Sequence, residues 1–235
     1  MGKFELPGCL ALQPAVGKFD ARRARRSPSL PTKQSSRSKH APLEWRIAHV
    51  SIGGTNNILV MDPLPKFPLF PNPVDEGVIE KSKVTCDFCN QSRGYMYSTN
   101  VYRDSTESVI CPWCIADGTG EKHRIQFNDS QVSAGEQYGT EELGIAVWRT
   151  PGISALQANY WLACCGRACI YRGAAGESEL KGKWKEAASF LVEDLAVSAE
   201  ESDSFISDMS RDGSPRAYVF QSQNCKKLLA FSDCD

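Results

Sequence analysis

Apolar residues recur at helical spacing in the C-terminal part of the chain. Within residues 177–197 they stand three or four positions apart, which places them on one face of an amphipathic helix. These residues are Leu180, Trp184, Ala187, Ala188, Leu191 and Leu195. The pattern predicts a helix over Glu177–Val197, and the acidic stretch that follows predicts a second helix over Ala199–Met209.

Other stretches have patterns typical of strands or short helices. Residues 217–235 (AYVFQSQNCKKLLAFSDCD) predict two short strands that flank Cys225. Residues 94–110 alternate around a polar turn, which predicts a hairpin. Residues 150–165 (TPGISALQANYWLACC) begin with a Pro-Gly turn and then predict a short helix.

The segment from Pro63 to Pro73 carries five prolines. Proline fixes φ and removes a backbone donor, so this segment is predicted to be an extended arm and not a helix. We expect Phe67, Leu69 and Phe70 to hold the arm against the folded body.

Charge divides the chain into two parts. Residues 1–60 carry ten Lys/Arg and three Asp/Glu, whereas residues 61–235 carry seventeen and twenty-five. The basic part is rich in Ser and Pro and poor in apolar residues, so we expect residues 1–62 to be a disordered extension. Residues 63–235 are predicted to be the folded domain. An alternative is that the natural chain starts at Met61, because every recognisable pattern follows it.

The hydrophobic pattern also bears on location. The chain has no run of about 18 apolar residues, the length that crosses a bilayer, so we expect no membrane insertion. Its N-terminus lacks the apolar stretch of a secretory signal. We therefore expect a cytoplasmic protein, and in that compartment Cys-x-x-Cys pairs more often bind metals than form cross-links.

Two Cys-x-x-Cys pairs carry the clearest chemical signal. Cys86 and Cys89 form the first pair, Cys111 and Cys114 form the second, and 21 residues separate them. Four thiolates at this spacing are typical of a structural zinc site, in which each turn supplies two sulfurs. Because the hairpin predicted between the pairs would bring them together, residues 86–114 are interpreted as a zinc-ribbon-like unit.

Two other uses of these thiols are weighed against zinc. The stretch CPWC is similar to a redox dithiol motif, but such motifs open a long helix, and the glycine-containing IADGTG after Cys114 does not support one. Disulfide cross-links are the other alternative. With zinc favoured, the predicted fold is α+β: a small zinc-ribbon-like β-hairpin unit, a helical segment and a C-terminal β hairpin.

Cysteines later in the chain offer a candidate second site. Cys165, Cys169 and Cys225 would come together if the C-terminal hairpin packs on the short helix. A second complete Cys-x-x-Cys would need a cysteine where the chain has Ser222, and serine is a poor zinc ligand. The alternative, that these are simply buried or free thiols, is favoured over a second metal.

Seven blocks of residues 63–235 together resemble the CbrC family, bacterial proteins named after a colicin-E2 tolerance protein. The blocks are FPLFPNPVDEGVI, CDFCNQSRGYMYSTNVY, CPWCIADG, FND, TPG, YWLACCGRAC and LLAFSDCD. The resemblance implies a cysteine-rich cytosolic protein with a role in colicin tolerance. It also implies two cysteine sets, the first at Cys86, Cys89, Cys111 and Cys114, and the second at Cys165, Cys169 and Cys225. Ser222 departs from that pattern.

The favoured function is a non-catalytic, zinc-stabilised protein that acts in tolerance or stress response by binding a protein partner. The acidic body fits a basic partner. No small-molecule substrate can be identified from the sequence.

Two alternatives belong to other classes. One is a nucleic-acid-binding zinc ribbon using Arg93, Arg103, Tyr95, Tyr97 and Tyr102, but the acidic residues among them make it less favoured. The other is an enzyme of unknown class. Its candidate polar group consists of Trp113, Asp117, His123 and Asp129.

Overall fold

The computed structural model describes most of the chain after residue 61. The described residues are 62–99, 101–103, 106–129, 132–133, 139–157, 159–193 and 198–234. The predicted disordered extension, except for Asp62, lies outside them.

These residues form short strands and short helices in an α+β arrangement, as predicted. The strands are β1 (Ile79–Lys81), β2 (Tyr95–Tyr97), β3 (Val101–Arg103), β4 (Thr106–Ser108), β5 (Val132–Ser133), β6 (Trp161–Cys164), β7 (Arg167–Ala168), β8 (Ile170–Ala175), β9 (Arg216–Gln221) and β10 (Leu228–Asp233). The helices are α1 (Pro112–Ala116), α2 (Thr119–His123), α3 (Thr140–Trp148), α4 (Glu177–Lys181), α5 (Lys185–Glu193) and α6 (Ala199–Ser207).

The proline-rich segment is an extended arm that lies against the body. Phe67, Leu69 and Phe70 are buried, which confirms their predicted role. The carbonyl of Leu69 accepts a hydrogen bond from the N–H of Tyr171, at 2.8 Å. The rings of Phe70 and Tyr171 meet edge to face at 4.8 Å. The arm is therefore fixed on β8.

A three-stranded antiparallel sheet of order β10-β9-β8 is the main strand assembly. The predicted strands around Cys225 are confirmed as β9 and β10, and β8 adds the third strand. Side chains alternate across β9, since Tyr218 and Phe220 join the first core while Ala217 and Val219 join the second.

Two hydrophobic cores thus lie on the two faces of this sheet. The first core includes the proline-rich arm, β1, β2, β6 and α1. The second core lies between the sheet and the helices, and contains Leu180 of α4, Leu191 of α5 and Ile206 of α6.

The predicted helix over Glu177–Val197 is divided into α4 and α5, and its last residues, 194–197, lie outside the described residues. It breaks after Lys181, where Gly182 ends α4 with φ −107° and ψ −113°, outside the helical region. The second predicted helix is confirmed as α6. Its N-cap Ser198 accepts from the N–H of Glu201, and the Glu201 side chain accepts from the N–H of Ser198, which is a capping box.

The helix predicted after Pro151-Gly152 is wrong. Residues 151–157 are irregular, and Trp161–Cys164 is the strand β6. Backbone N–H groups of this loop donate hydrogen bonds to side chains and not to carbonyls of a helix. Ile153 N–H donates to Asn128, while Leu156 and Gln157 N–H donate to Asp233. Satisfied donors let the loop stay irregular inside the fold.

The hairpin predicted between the two cysteine pairs is present only in part. β3 and β4 pair antiparallel, but β2 pairs with β1, which precedes the first cysteine pair. The insert therefore divides into two short pairings, and a zinc ribbon is not confirmed. The helices α1 and α2 that follow have five residues each, so the expected absence of a long helix after Cys114 is confirmed.

Candidate metal centres

Two turns deliver the first cysteine cluster, defined as Cys86, Cys89, Cys111 and Cys114. Cys86 and Cys89 lie in a turn after β1, closed by a hydrogen bond from Cys86 N–H to the Gln91 carbonyl at 3.0 Å. Cys111 is the N-cap of α1, and Pro112 starts the helix without an unsatisfied N–H. The sequence thus places two sulfurs on each turn.

The four sulfurs form a compact group. Cys86 Sγ lies 3.8 Å from Cys114 Sγ, and Cys89 Sγ lies 3.7 Å from Cys111 Sγ. All four lie within 4.8 Å of one another. A zinc ion held by four thiolates at about 2.3 Å needs sulfur–sulfur edges of about 3.8 Å. The residues therefore fit a tetrahedral thiophilic metal, and the cluster could hold one.

The surroundings of these thiols affect their ionisation unequally. Burial raises the pKa of Cys111 to about 11 and raises that of Cys114 still further. Burial also opposes ionisation of Cys86, but backbone N–H groups of Cys89, Phe88 and Cys111 donate to its sulfur, and its pKa is lowered overall. These N–H donors would stabilise a thiolate that binds a metal.

The second cysteine cluster is defined as Cys164, Cys165 and Cys225, and it differs from the predicted set. Cys164 Sγ lies 3.6 Å from Cys165 Sγ and 3.7 Å from Cys225 Sγ, and all three sulfurs lie within 4.8 Å of one another. The structure brings the predicted Cys165 and Cys225 together. This cluster too could hold a metal ion.

Cys169 is not part of either group, and Cys164 takes its expected place. Cys169 is buried after β7, and its carbonyl accepts a hydrogen bond from Trp161 Nε1 at 2.9 Å. The sequence predicts that Cys164 and Cys165 end a short helix, whereas Cys164 ends β6 and residues 165–166 form the turn into β7. Gly166, with φ +71°, was the signal for that turn.

Ser222 lies beside the second cluster and is almost fully buried. Its hydroxyl lies within hydrogen-bond reach of the sulfurs of Cys164 and Cys225, and its oxygen accepts a hydrogen bond from Cys225 N–H at 3.3 Å. This hydroxyl and the Lys227 N–H lower the pKa of Cys225 to about 7, whereas burial raises that of Cys164 to about 11.

The residues proposed for an enzyme have separate structural contacts. Asp117 accepts from the N–H and hydroxyl of Thr119, the ring of His123 lies against Phe88, and Arg93 lies over Trp113. Asp129 lines a polar cleft of about 260 Å³ with Gln126, Asn128 and Asn159. Among the described residues, groups of three or more potential ligands form only at the two cysteine clusters.

The residues proposed for nucleic-acid binding are partly unsuited to it. Tyr97 is buried, so it offers no stacking surface. Arg93 is held by Gln91 and by Asp62, at 2.6 and 3.7 Å. The side chains of Tyr102 and Arg103 lie outside the description.

No helix among the described residues is both long and apolar enough to cross a bilayer. No solved structure matches the chain.

Comparison with known proteins gives the family. A family model described as an uncharacterised protein family, UPF0167, matches residues 64–234. A UPF0167 protein of Pseudomonas aeruginosa is 32% identical over 166 residues, which are 69% of this chain and 93% of that protein. UPF0167 proteins of Mycobacterium bovis and Mycobacterium tuberculosis are each 31% identical over 175 residues, or 72% of this chain and 93% of theirs.

These findings correct one prediction from the sequence. The resemblance to the CbrC family is wrong, because both the matching model and these relatives carry the UPF0167 name. The expected role in colicin tolerance depended on that resemblance and is withdrawn with it. The chain belongs to the UPF0167 family.

Proposed function

We propose that the first cysteine cluster holds a structural zinc ion, and that the protein acts without catalysis by binding a protein partner. The two sulfur–sulfur distances, 3.8 and 3.7 Å, support zinc, because they match the edge length of a tetrahedron of four thiolates around the ion. With all four positions taken by sulfur, no position is left for a reactive water. Zinc bound in this way stabilises the fold.

The burial of the cluster supports a structural role. Cys86 and Cys111 have no exposed surface, and the adjacent Ile110 and Ile115 are equally buried in the first core. Metal binding requires the sulfurs to be thiolates, and four thiolates this close would repel one another without a cation. Binding of zinc would then contribute directly to the free energy of folding.

A charge imbalance supports a protein partner of basic character. Residues 61–235 carry seventeen Lys/Arg and twenty-five Asp/Glu. Excess negative charge increases the rate at which a basic surface associates. Cross-linked complexes from the native host, recovered at low and at high salt, test this part. A salt-sensitive basic protein is expected, whereas a gel shift with nonspecific DNA would favour nucleic acid instead.

Zinc analysis of variants tests the structural site. Cys86→Ser and Cys111→Ser are expected to lose the zinc that resists a chelator, and to give insoluble protein or a melting temperature at least about 10 °C lower. Cys169→Ala is the control, because Cys169 belongs to neither cysteine cluster, and it is expected to keep the chelator-resistant zinc. Normal melting of Cys86→Ser and Cys111→Ser would show that zinc does not stabilise the fold.

A further inference from the structure

The loop between β9 and β10 repeats the backbone turn of the first cysteine pair. In the first turn, Cys86 N–H donates to the carbonyl five residues later, at Gln91, over 3.0 Å. In the β9–β10 loop, Ser222 N–H donates to the carbonyl of Lys227, again five residues later, over 2.9 Å. Ser222 therefore stands at the place of Cys86.

The second position of the turn agrees as well. Cys89 is followed by Asn90 with φ +54°, and Cys225 is followed by Lys226 with φ +65°. Non-glycine residues rarely adopt such values, so their occurrence at the same step of both turns is informative. Cys225 thus matches Cys89. The loop has the backbone form of a metal-binding Cys-x-x-Cys turn, with serine in place of the first cysteine.

The β6–β7 turn supplies two further sulfurs opposite this loop. Cys164 ends β6 and Cys165 follows it with φ +56°. The sulfur of Cys164 is 3.6 Å from Cys165 Sγ and 3.7 Å from Cys225 Sγ, close to the edge of about 3.8 Å in a zinc–thiolate tetrahedron. Three corners of a tetrahedron are therefore in place.

Hydrogen bonds hold the two turns in register without using the sulfurs. Asn224 Nδ2 donates to the Cys165 carbonyl at 3.2 Å, and Gln223 Nε2 donates to the Ala168 carbonyl at 2.7 Å. A site whose supporting contacts are independent of its ligands is preorganised for binding.

Ser222 leaves the fourth corner without a good protein ligand. Its side chain touches the sulfurs of Cys164 and Cys225, but a neutral hydroxyl binds zinc much more weakly than a thiolate or imidazole does. Cys165 and Cys225 are exposed, so a ligand from solution can reach the site.

We propose that Cys164, Cys165 and Cys225 form an open site for a thiophilic divalent cation such as zinc. Three thiolates bind the ion, and the fourth coordination position takes an exchangeable ligand from solution, either water or a small thiol. Open fourth positions distinguish reactive or exchanging zinc sites from closed structural ones. This inference does not depend on the zinc proposed for the first cluster.

Zinc stoichiometry tests whether the site exists. The full-length reduced protein is equilibrated with excess zinc, desalted and analysed for zinc per chain. Two ions are expected for the wild type and one for Cys225→Ala, while Cys169→Ala is the control and keeps both. One ion in the wild type and none in Cys225→Ala would support this site and would contradict the zinc proposed for the first cluster. An unchanged count in a folded Cys225→Ala variant would overturn the open site.

Replacing Ser222 tests the vacant position. Ser222→Cys adds the missing thiolate, so the zinc Kd of the second cluster is expected to fall at least tenfold in a chelator competition. Ser222→Ala is the matched control, and its affinity for zinc should not rise. In the cobalt-loaded protein, 2-mercaptoethanol should change the visible spectrum of the wild type but not of Ser222→Cys. Equal affinities for Ser222→Cys and Ser222→Ala, or a wild-type spectrum that ignores the thiol, would overturn the proposal.

Discussion

The buried amide of Asn128 fixes the start of the loop at 151–157, which the sequence pattern predicts to be a helix. Its Nδ2 lies 2.8 Å from the Ala146 carbonyl and 3.1 Å from the Thr150 carbonyl, and its Oδ1 accepts from Ile153 N–H. Only 2% of its surface is exposed. An amide is required here, because the position must both donate and accept.

Asn128→Asp is expected to destabilise the protein strongly. The substitution keeps the shape but replaces the Nδ2 donor with an acceptor oxygen that faces carbonyl oxygens, and it buries a charge. The free energy of unfolding should therefore fall by about 3 kcal/mol. Asn72→Asp makes the same chemical change at an exposed site and should cost less than about 0.5 kcal/mol. Urea unfolding measures both, and equal losses would contradict this role.

At the residue scale, a cysteine can be assigned to its cluster from the sequence when its partners are close to it along the chain. Cys86, Cys89, Cys111 and Cys114 were grouped correctly because each pair is local and the spacing between pairs is a known one. Cys164 was missed because it meets Cys225 only through the packing of two distant turns. No local signal reports such an approach.

At the scale of elements, Glu76, which lies just after the proline-rich arm, ties the end of the arm to β8 and to the segment after α6. Its carboxylate, 12% exposed, accepts from Ala174 N–H at 2.9 Å and pairs with Arg211 at 2.9 Å. The Tyr171 hydroxyl lies 3.4 Å away, and burial together with this carboxylate raises the pKa of Tyr171 well above its usual value. Gly173, with φ +135°, leaves room for the carboxylate, since a Cβ there would meet Glu76 Oε1 at 2.5 Å.

Glu76→Gln is expected to loosen the attachment of the arm. It removes the charge that pairs with Arg211 and leaves a weaker acceptor for the buried Ala174 N–H, at a cost of about 2 kcal/mol. Glu177→Gln is the control, because the Glu177–Lys181 pair is exposed on α4 and worth less than about 0.5 kcal/mol. Thermal unfolding compares them. If Glu76→Gln melts like Glu177→Gln, the carboxylate does not hold the arm.

Elements were predictable where their pattern was local and their backbone donors were satisfied within the element. The capped helix α6 and the strands β9 and β10 follow from sequence for this reason. The loop at 151–157 does not, since its N–H groups are satisfied by Asn128 and Asp233 from distant parts of the chain. The break of the long predicted helix at Gly182 could be predicted only in part, because glycine weakens a helix without always ending it.

At the scale of the whole molecule, the sheet β8–β9–β10 separates two cores with different means of stabilisation. The first core includes three sulfurs of the first cysteine cluster, whereas the second consists of apolar side chains from the sheet and from α4, α5 and α6. Zinc would therefore stabilise one face of the sheet directly and the other only through the shared strands. The two cores should differ in their dependence on metal.

Removing the metal is expected to open the first core before the second. After chelation under reducing conditions, backbone amides of β1, β2 and α1 should exchange with deuterium at least about tenfold faster, because local opening there costs less once the sulfurs are no longer held. Amides of α5, whose Leu191 packs in the second core, should retain most of their protection. Added zinc should restore the original pattern. Equal acceleration in α5 and α1 would instead show that both cores unfold as one unit, and unchanged exchange in α1 would show that the first core needs no metal.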